Sequence, residues 1–374
     1  MKKLKKNILI SSILVTLFMA RTNAQQTSNE SFCSDPVQRI CGDTSIQRHE
    51  RKSYINKLKK EISHEAKINS RPRIAKMKKS ISSIHIFKRM AQSSLIRNEE
   101  ILASVKRHIV NFESTAISVD NISKIKSYMY QAIDNSEIGL EIKDDFKKII
   151  QSVIVGNFND FLARERLEEG IFSVQLENIC GADGLSDNAF STILRGDRYV
   201  LMCPGYLITL SQTASESDRF NNILHVISHE MGHHIDNKHY FTSNVYEPYL
   251  NCITKNFSKH LNRSAEDIKF CRFNSTSCDK KITASHSGEL VADEWGIAVT
   301  ALHAKAQNYS YIEADQLLTE TWAKLCGAQD EGIHPNTEFR IEYLLRKNPE
   351  IASYLSCFNS EINPAPTCTF SGEK

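Results

Sequence analysis

Apolar side chains recur at helical spacing through the first half of the chain. From Ile55 to Ile109 they fall mostly three or four residues apart, with charged and polar residues between them, and the pattern continues from Ile122 to Leu162. Apolar residues at this spacing lie on one face of an α-helix, and that face packs against a hydrophobic core. The pattern predicts a series of amphipathic helices in this half of the chain.

An alternation of apolar and polar residues replaces the helical period after residue 170. Residues 171–179 alternate, and residues 198–203 are a β-prone run that Pro204 and Gly205 end, so both segments predict strands of a small sheet. Predicted helices follow at 221–238, 289–304, 314–325 and 339–345, with a polar stretch at 251–287. The sequence therefore predicts an α+β, predominantly helical protein, with a helical lobe over 25–170 and a second domain over 171–374.

The first 24 residues have the layout of a secretory signal peptide. Four lysines precede an uncharged run at 7–20, and Ala24 is a small residue suited to a cleavage site. The run is shorter than the ~20 residues of a membrane-spanning helix. We expect cleavage and export to the periplasm or the extracellular space, with an uncleaved N-terminal anchor as the alternative.

The ten cysteines are consistent with export. Their number is even, and none of them forms a Cys-x-x-Cys pair. Thiols are kept reduced in the cytosol but pair in oxidising compartments. We therefore expect disulfides rather than cysteine ligands for zinc.

The charge of the chain is divided unevenly. Without residues 1–24 the formal net charge changes from +3 to −2, of which residues 48–107 contribute +12 and the remainder −14. The basic stretch could make a weak contact with an anionic surface, but a solvated helical face, or one that packs on the acidic half, is the simpler interpretation. Aromatic residues do not interleave with the basic ones as base stacking requires, so we expect no nucleic-acid partner.

The candidate chemistry lies at residues 229–233, which read His-Glu-Met-Gly-His within a predicted helix. Residues four apart share a helical face, so His229 and His233 can ligate one zinc ion while Glu230 reaches a water bound to it. Glu289 is the candidate third ligand, and Asp293 lies four residues further, where it can hydrogen-bond a ligand imidazole. Three protein ligands and one open position are typical of a catalytic zinc site.

Several nearby residues have simpler interpretations. Glu289 and Asp293 could instead be ordinary surface carboxylates. His225 lies one turn before His229 on the same face and is either a rival ligand or a supporting group. His234 points about 100° away from His233 on a helix, so we expect it to pack or to hydrogen-bond.

These motifs resemble the neprilysin and endothelin-converting-enzyme family of zinc metallopeptidases. The resemblance extends to Asn-Ala-Phe at 188–190, to His334 with Arg340 six residues later, and to the ending with Asn363-Pro364 before Cys368. It covers the C-terminal half and a short N-terminal segment. Family ectodomains are close to twice this length, so the helical lobe that limits their substrates to peptides would be reduced here.

The resemblance implies a thermolysin-like zincin (gluzincin) domain that acts as a secreted zinc-dependent endopeptidase on peptides or small proteins. It assigns His229, His233 and Glu289 as zinc ligands, Glu230 as the general base and Asp293 as the group that orients His229. A catalytically inactive protein that keeps the fold and binds peptides or an anionic surface is the alternative, although the intact motifs argue against it.

The resemblance also implies the residues that would meet the substrate. His334 would stabilise the oxyanion of the tetrahedral intermediate, and Arg340 would hold the substrate backbone. Asn188 and Ala189 would hydrogen-bond the peptide in extended form. Without the resemblance, these residues would pass for surface or turn residues.

Two disulfides follow from the resemblance, Cys41 with Cys326 and Cys33 with Cys357. It also implies that Cys368 joins a cysteine beyond the zinc helix. We take Cys252 as the first choice. Two guesses complete the pairing, Cys180 with Cys203 and Cys271 with Cys278, and other pairings of these residues stay open.

Overall fold

The structure of the protein is a computed structural model. It describes residues 35–42, 46–81, 85–109, 118–156, 180–181, 184–194, 196–212, 215–236, 245–261, 284–323, 326, 335, 337–345, 348, 351, 354–355 and 367–373. The chain forms two compact units. The central unit consists of Thr44–Tyr246 and Ser287–Thr300, and the terminal unit consists of Met1–Asp43, Glu247–His286 and Ala301–Lys374.

The elements of secondary structure are mostly helices. In the N-terminal half they are α1 (Pro36–Cys41), α2 (Ile46–Ser80), α3 (Ile86–His108), α4 (Val119–Asn135), α5 (Leu140–Ser152) and β1 (Ile154–Gly156). They continue as β2 (Ala189–Leu194), β3 (Asp197–Met202), α6 (Pro204–Ser211), α7 (Glu216–Gly232), α8 (Glu247–Leu261), α9 (Ala284–Ala306), α10 (Tyr311–Trp322), α11 (Thr337–Phe339), a π-helix (Arg340–Leu345), β4 (Cys368–Thr369) and β5 (Gly372–Glu373). The predicted α+β, predominantly helical class is confirmed.

Helices α2 and α3 pack along each other as a hairpin in the central unit. Arg73 of α2 contacts Glu99 of α3, and Glu65 of α2 contacts Arg107 of α3, each at 2.6 Å. The partner number falls as the position on α2 rises, so the two helices are antiparallel. The apolar stripe of α2 is buried at Ile55, Leu58 and Ile62 and only partly buried at Ile74 and Met77. Helix α3 buries its apolar stripe between Ala91 and Val105.

A three-stranded sheet in the central unit has the order β1-β3-β2. Strands β2 and β3 are antiparallel, with Phe190 opposite Leu201, and β1 runs parallel to β3, with Val155 opposite Val200. Because β3 is the middle strand, its side chains from Tyr199 onward are buried. The sheet therefore gives the central unit a rigid layer against which α7 packs.

The strand predictions have mixed outcomes. The run at 198–203 is confirmed as β3. The helical pattern predicted as far as residue 162 is wrong at 154–156, where pairing with β3 makes a strand of the β-branched pair Ile154 and Val155. The predicted strand at 171–179 lies outside the described residues.

The two helices that carry the motifs are confirmed, and both begin earlier than predicted. Helix α7 begins after Ser215, whose Oγ accepts a hydrogen bond from the backbone N–H of Asp218. It ends at Gly232, and residues 233–236 form turns. Glu289 and Asp293 lie inside α9, which begins five residues before the predicted start.

Helices of the terminal unit show a further departure from the sequence prediction. The sequence predicts no helix at the beginning of the polar stretch at 251–287, yet α8 covers it. Tyr249, Cys252 and Ile253 are buried one turn apart, so a short apolar stripe holds this helix. Helix α10 begins three residues before its prediction, because Ser310 and Glu313 form a capping box.

Three predicted disulfides are confirmed. Cys41 pairs with Cys326 and Cys252 with Cys368 in the terminal unit, and Cys180 pairs with Cys203 in the central unit. The pairs Cys33 with Cys357 and Cys271 with Cys278 lie outside the described residues. Disulfides of this number are typical of proteins in an oxidising compartment.

The predicted domain boundary at residue 170 also lies outside the described residues and stays a prediction. The compact units group the chain in another way, since α7 belongs to the same unit as α2–α5. Among the helices that the structure describes, none combines the length and the hydropathy that a membrane crossing needs.

Candidate metal centre

Helices α7 and α9 approach each other closely at the motif residues. A Cβ atom added to Gly232 would stand 2.9 Å from the Cα of Ala292, and one added to Gly288 would stand 2.9 Å from Oδ2 of Asp236. Both distances are shorter than real side chains tolerate. Gly232 therefore permits the close approach of α7 to the backbone of α9, and Gly288 leaves room for the carboxylate of Asp236.

His229 of α7, His233 in the turn directly after α7, and Glu289 of α9 form a set that we call the outer set. Nε2 of His229 lies 3.3 Å from Oε2 of Glu289, and Nε2 of His233 lies 3.4 Å from Oε1 of the same carboxylate. The three side chains are 9%, 13% and 9% exposed. One ligand atom from each lies within 4.8 Å of the others, so the outer set could hold a metal ion.

A carboxylate also faces the second nitrogen of each imidazole. Nδ1 of His233 lies 3.1 Å from Oδ2 of Asp236 and can donate to it. Nδ1 of His229 lies 2.9 Å from Oδ1 of Asp293, close enough for a charge contact although out of line for a hydrogen bond. Such carboxylates fix the orientation of a ligand imidazole and leave Nε2 for the metal.

Asp236 is a site residue that the sequence analysis missed. It lies three residues after His233 in the turns that follow α7, and it is buried. On a helix continued to residue 238, as predicted, Asp236 would also neighbour His233, because the two residues are three apart. The only signal in the sequence was an acidic residue close behind a candidate ligand.

The electrostatics of the centre favour positive charge. Burial alone would lower the pKa of His233, but hydrogen bonds to Asp236 and Glu289 outweigh it and raise that pKa well above its ordinary value. Burial opposes charge on His229 in the same way, and Asp293 and Glu289 outweigh it and raise the pKa of that imidazole. A cation bound between the imidazoles and Glu289 would supply the same positive charge.

The turn after α7 is held by a buried hydrogen-bonded chain. The hydroxyl of Tyr246 donates to the carbonyl oxygen of Ile235 at 2.7 Å and accepts from Nε1 of Trp295 at 3.1 Å. Trp295 lies on α9 two residues after Asp293, so the chain ties the turn to the same helix that carries Glu289. His234 adds a hydrogen bond from Nε2 to the carbonyl oxygen of Tyr199 at 3.0 Å, as its predicted packing role requires.

A second set of side chains, which we call the inner set, consists of His225, His229 and Asp293. Its ligand atoms also lie within 4.8 Å of one another, so it too could hold a metal ion. The ring of His225 occupies space that a side chain at residue 296 would fill, because a Cβ on Gly296 would stand 2.8 Å from Nδ1. Because the inner set could hold a metal ion, both predicted roles of His225 stay open, that of a rival ligand and that of a supporting group.

The predicted general base lies beside the outer set. Glu230 is buried next to His229 in the chain. Its charge contributes to raising the pKa of His233, after burial and the larger effects of Asp236 and Glu289. Its distance from the outer set is therefore short enough for electrostatic influence.

The predicted substrate residues are not all in one unit. Asn188 is exposed just before β2, where its carbonyl oxygen accepts from the backbone N–H of Cys203, and Ala189 is buried in the strand. Arg340 is buried in the terminal unit, with its guanidinium 5.8 Å from the ring centre of Trp322. His334 lies outside the described residues. The substrate roles of these four residues stay predictions.

No protein-family model matches the chain, and neither does any curated protein. The resemblance to the neprilysin family therefore depends on the motif residues themselves.

Proposed function

We propose that the protein is a zinc-dependent endopeptidase with the outer set as its metal site. The observation that carries the proposal is the convergence of two imidazole nitrogens on one carboxylate of α9, with a further carboxylate facing each ring. One imidazole lies in the last turn of α7 and the other on the residue that follows the helix. Two imidazoles and one carboxylate are the ligands of a common class of catalytic zinc site.

The distances support zinc in particular. Bonds of about 2.0–2.1 Å in a tetrahedral site place neighbouring ligand atoms roughly 3.3–3.4 Å apart. The nitrogen–oxygen distances from Glu289 to the two imidazoles are 3.3 and 3.4 Å. The described cysteines are all paired in disulfides, so none of them competes as a fourth ligand. One coordination position is then left for water or substrate.

The chemistry assigned to the chain follows from this arrangement. Zinc, when bound, supplies a Lewis acid that polarises a carbonyl and lowers the pKa of a water molecule. Glu230 takes the proton of the attacking water and returns it to the leaving amine. Asp236 and Asp293 hold the imidazoles so that each Nε2 faces the metal.

The remaining parts of the proposal follow the resemblance to the neprilysin family. His334 would stabilise the oxyanion, Arg340 would bind the substrate backbone, and Asn188 with Ala189 would bind the peptide as an extended strand. The substrates would be peptides or small proteins met after export, in the periplasm or the extracellular space.

The test combines a peptide library with one variant and its control. Purified protein is incubated with the library, with and without a chelator, and the products are identified by mass spectrometry. Glu230→Gln should keep its zinc and lose about 10²–10⁴-fold in kcat/KM, since it removes only the proton acceptor. The control is Glu216→Gln, the same change at the exposed start of the same helix. Full activity of Glu230→Gln, or cleavage that survives zinc removal, would contradict the proposal.

A further inference from the structure

The tip of the α2–α3 hairpin exposes large apolar side chains. We define the tip as residues 76–81 and 85–90. Ile86 and Phe87 begin α3, Met90 follows one turn later, and the three are 66%, 65% and 54% exposed. Residues three and four apart are neighbours on a helix surface, so these side chains form one apolar face that points to solvent.

Basic residues accompany this apolar face. Lys76, Lys78 and Lys79 lie in the last turns of α2, and Lys88 and Arg89 follow Phe87 in α3. Neither segment of the tip contains an acidic residue. The tip therefore combines positive charge with exposed apolar area on one end of a rigid hairpin.

Ion pairs join α2 and α3 away from the tip. Arg73 contacts both Glu99 and Glu100 at 2.6 Å, and Arg107 contacts Glu65 at 2.6 Å. These pairs place acidic partners beside basic residues along the length of α2 and α3. The tip lies within residues 66–98, which contain nine basic residues and no acidic one.

We propose that the tip docks on a lipid bilayer that contains anionic headgroups. Each lysine or arginine near such a surface strengthens binding about fivefold, and an amphipathic helix inserts its apolar residues at the boundary of headgroups and acyl chains. A polyanion such as a nucleic acid would attract the basic residues but would leave Ile86 and Met90 in water. The combination of both features favours a membrane surface.

The experiment measures co-sedimentation of the full chain with two kinds of vesicle, phosphatidylcholine alone and phosphatidylcholine mixed with phosphatidylserine. We expect binding to the mixed vesicles only, and weaker binding as salt is raised. Phe87→Ser should lower the partition coefficient about tenfold. The double variant Lys78→Gln, Lys79→Gln should lower it roughly 20- to 30-fold.

Matched controls separate the tip from general charge and hydrophobicity. Leu140→Ser removes an apolar residue that is also exposed at the first position of a helix, where Glu141 follows it. The double variant Lys57→Gln, Lys60→Gln removes two exposed lysines from α2 away from the tip. Both controls should bind as the unchanged protein does, and circular dichroism should show all variants folded.

Four outcomes would overturn the proposal. Equal binding to both kinds of vesicle, or to neither, would exclude recognition of anionic lipid. Equal losses in the tip and control lysine variants, or full binding by Phe87→Ser, would indicate diffuse attraction to polyanions, and competition by RNA would then displace the protein from the vesicles.

Discussion

The outer and inner sets share His229 but differ in the nitrogen that they use and in their access to solvent. In the outer set, Nε2 of His229 faces Glu289, and His233 is 13% exposed. In the inner set, Asp293 faces Nδ1 of His229, and all three members are buried. A metal that must meet a substrate needs the accessible nitrogen, whereas the enclosed carboxylate is suited to orienting the ring.

The comparison shows that donor chemistry alone does not identify a catalytic ligand. Each set offers two imidazoles and one carboxylate within the same distance. His225 lies one turn before His229 in α7, and His233 lies four residues after His229, at the C-cap of the helix. The assignment of the metal to the outer set therefore depends on exposure and on the position of Glu230.

Removal of the two flanking histidines gives the largest contrast between the sets. The free energy of zinc binding to a protein site is about 10–16 kcal/mol. If the three ligands contribute equally, His233→Ala should weaken zinc binding roughly 10³-fold. His225→Ala removes a side chain of the same type one turn on the other side and should weaken it far less. Competition with a chromophoric chelator measures both affinities, and the reverse order would assign the metal to the inner set.

Isosteric changes of Asp236 and Asp293 also distinguish the two sets, with a smaller expected effect on zinc affinity. Asp236→Asn and Asp293→Asn should each cost about 10–100-fold in zinc affinity, because each weakens the hold on one imidazole without removing a ligand. The same chelator competition measures both, and each variant serves as the control for the other. If the inner set bound the metal, Asp293 would be a ligand, and its variant would lose far more than the Asp236 variant.

Glycine substitutions test the helix contact and have the smallest expected effect. Gly232→Ala should destabilise the protein by about 1–3 kcal/mol, because its new carbon meets the backbone of Ala292. Gly139→Ala is the control, since nothing lies within 4 Å of the carbon that it adds. Urea denaturation of the zinc-loaded protein compares them, and equal stability of both variants would show that α7 and α9 are not in close contact.

The sequence predicted the parts of the site that depend on local periodicity. His229, Glu230 and His233 follow from spacing within one helix, and Glu289 and Asp293 follow from spacing within another. The pairing of the two helices could not be derived from spacing, since it depends on Gly232 and Gly288 leaving space for close approach. No feature of the sequence distinguishes these two glycines from the other glycines of the chain.

The missed elements share a physical cause. The turn that carries Asp236 is held by the hydrogen bond from Tyr246 to the carbonyl oxygen of Ile235, and β1 forms because β3 offers it a partner. Helix α8 is held by a short buried stripe with a disulfide to Cys368 inside a stretch of polar composition. In each case a tertiary contact decides the local structure, and helical or strand periodicity in one segment does not contain that contact.

The most direct test of the account is an anomalous difference map recorded at the zinc absorption edge from crystals of the zinc-loaded protein. The account predicts one peak, bonded to Nε2 of His229, Nε2 of His233 and the carboxylate of Glu289, with Asp293 bonded to the ring of His229 and not to the metal. A peak between His225, Nδ1 of His229 and Asp293, or no peak at this centre, would contradict it.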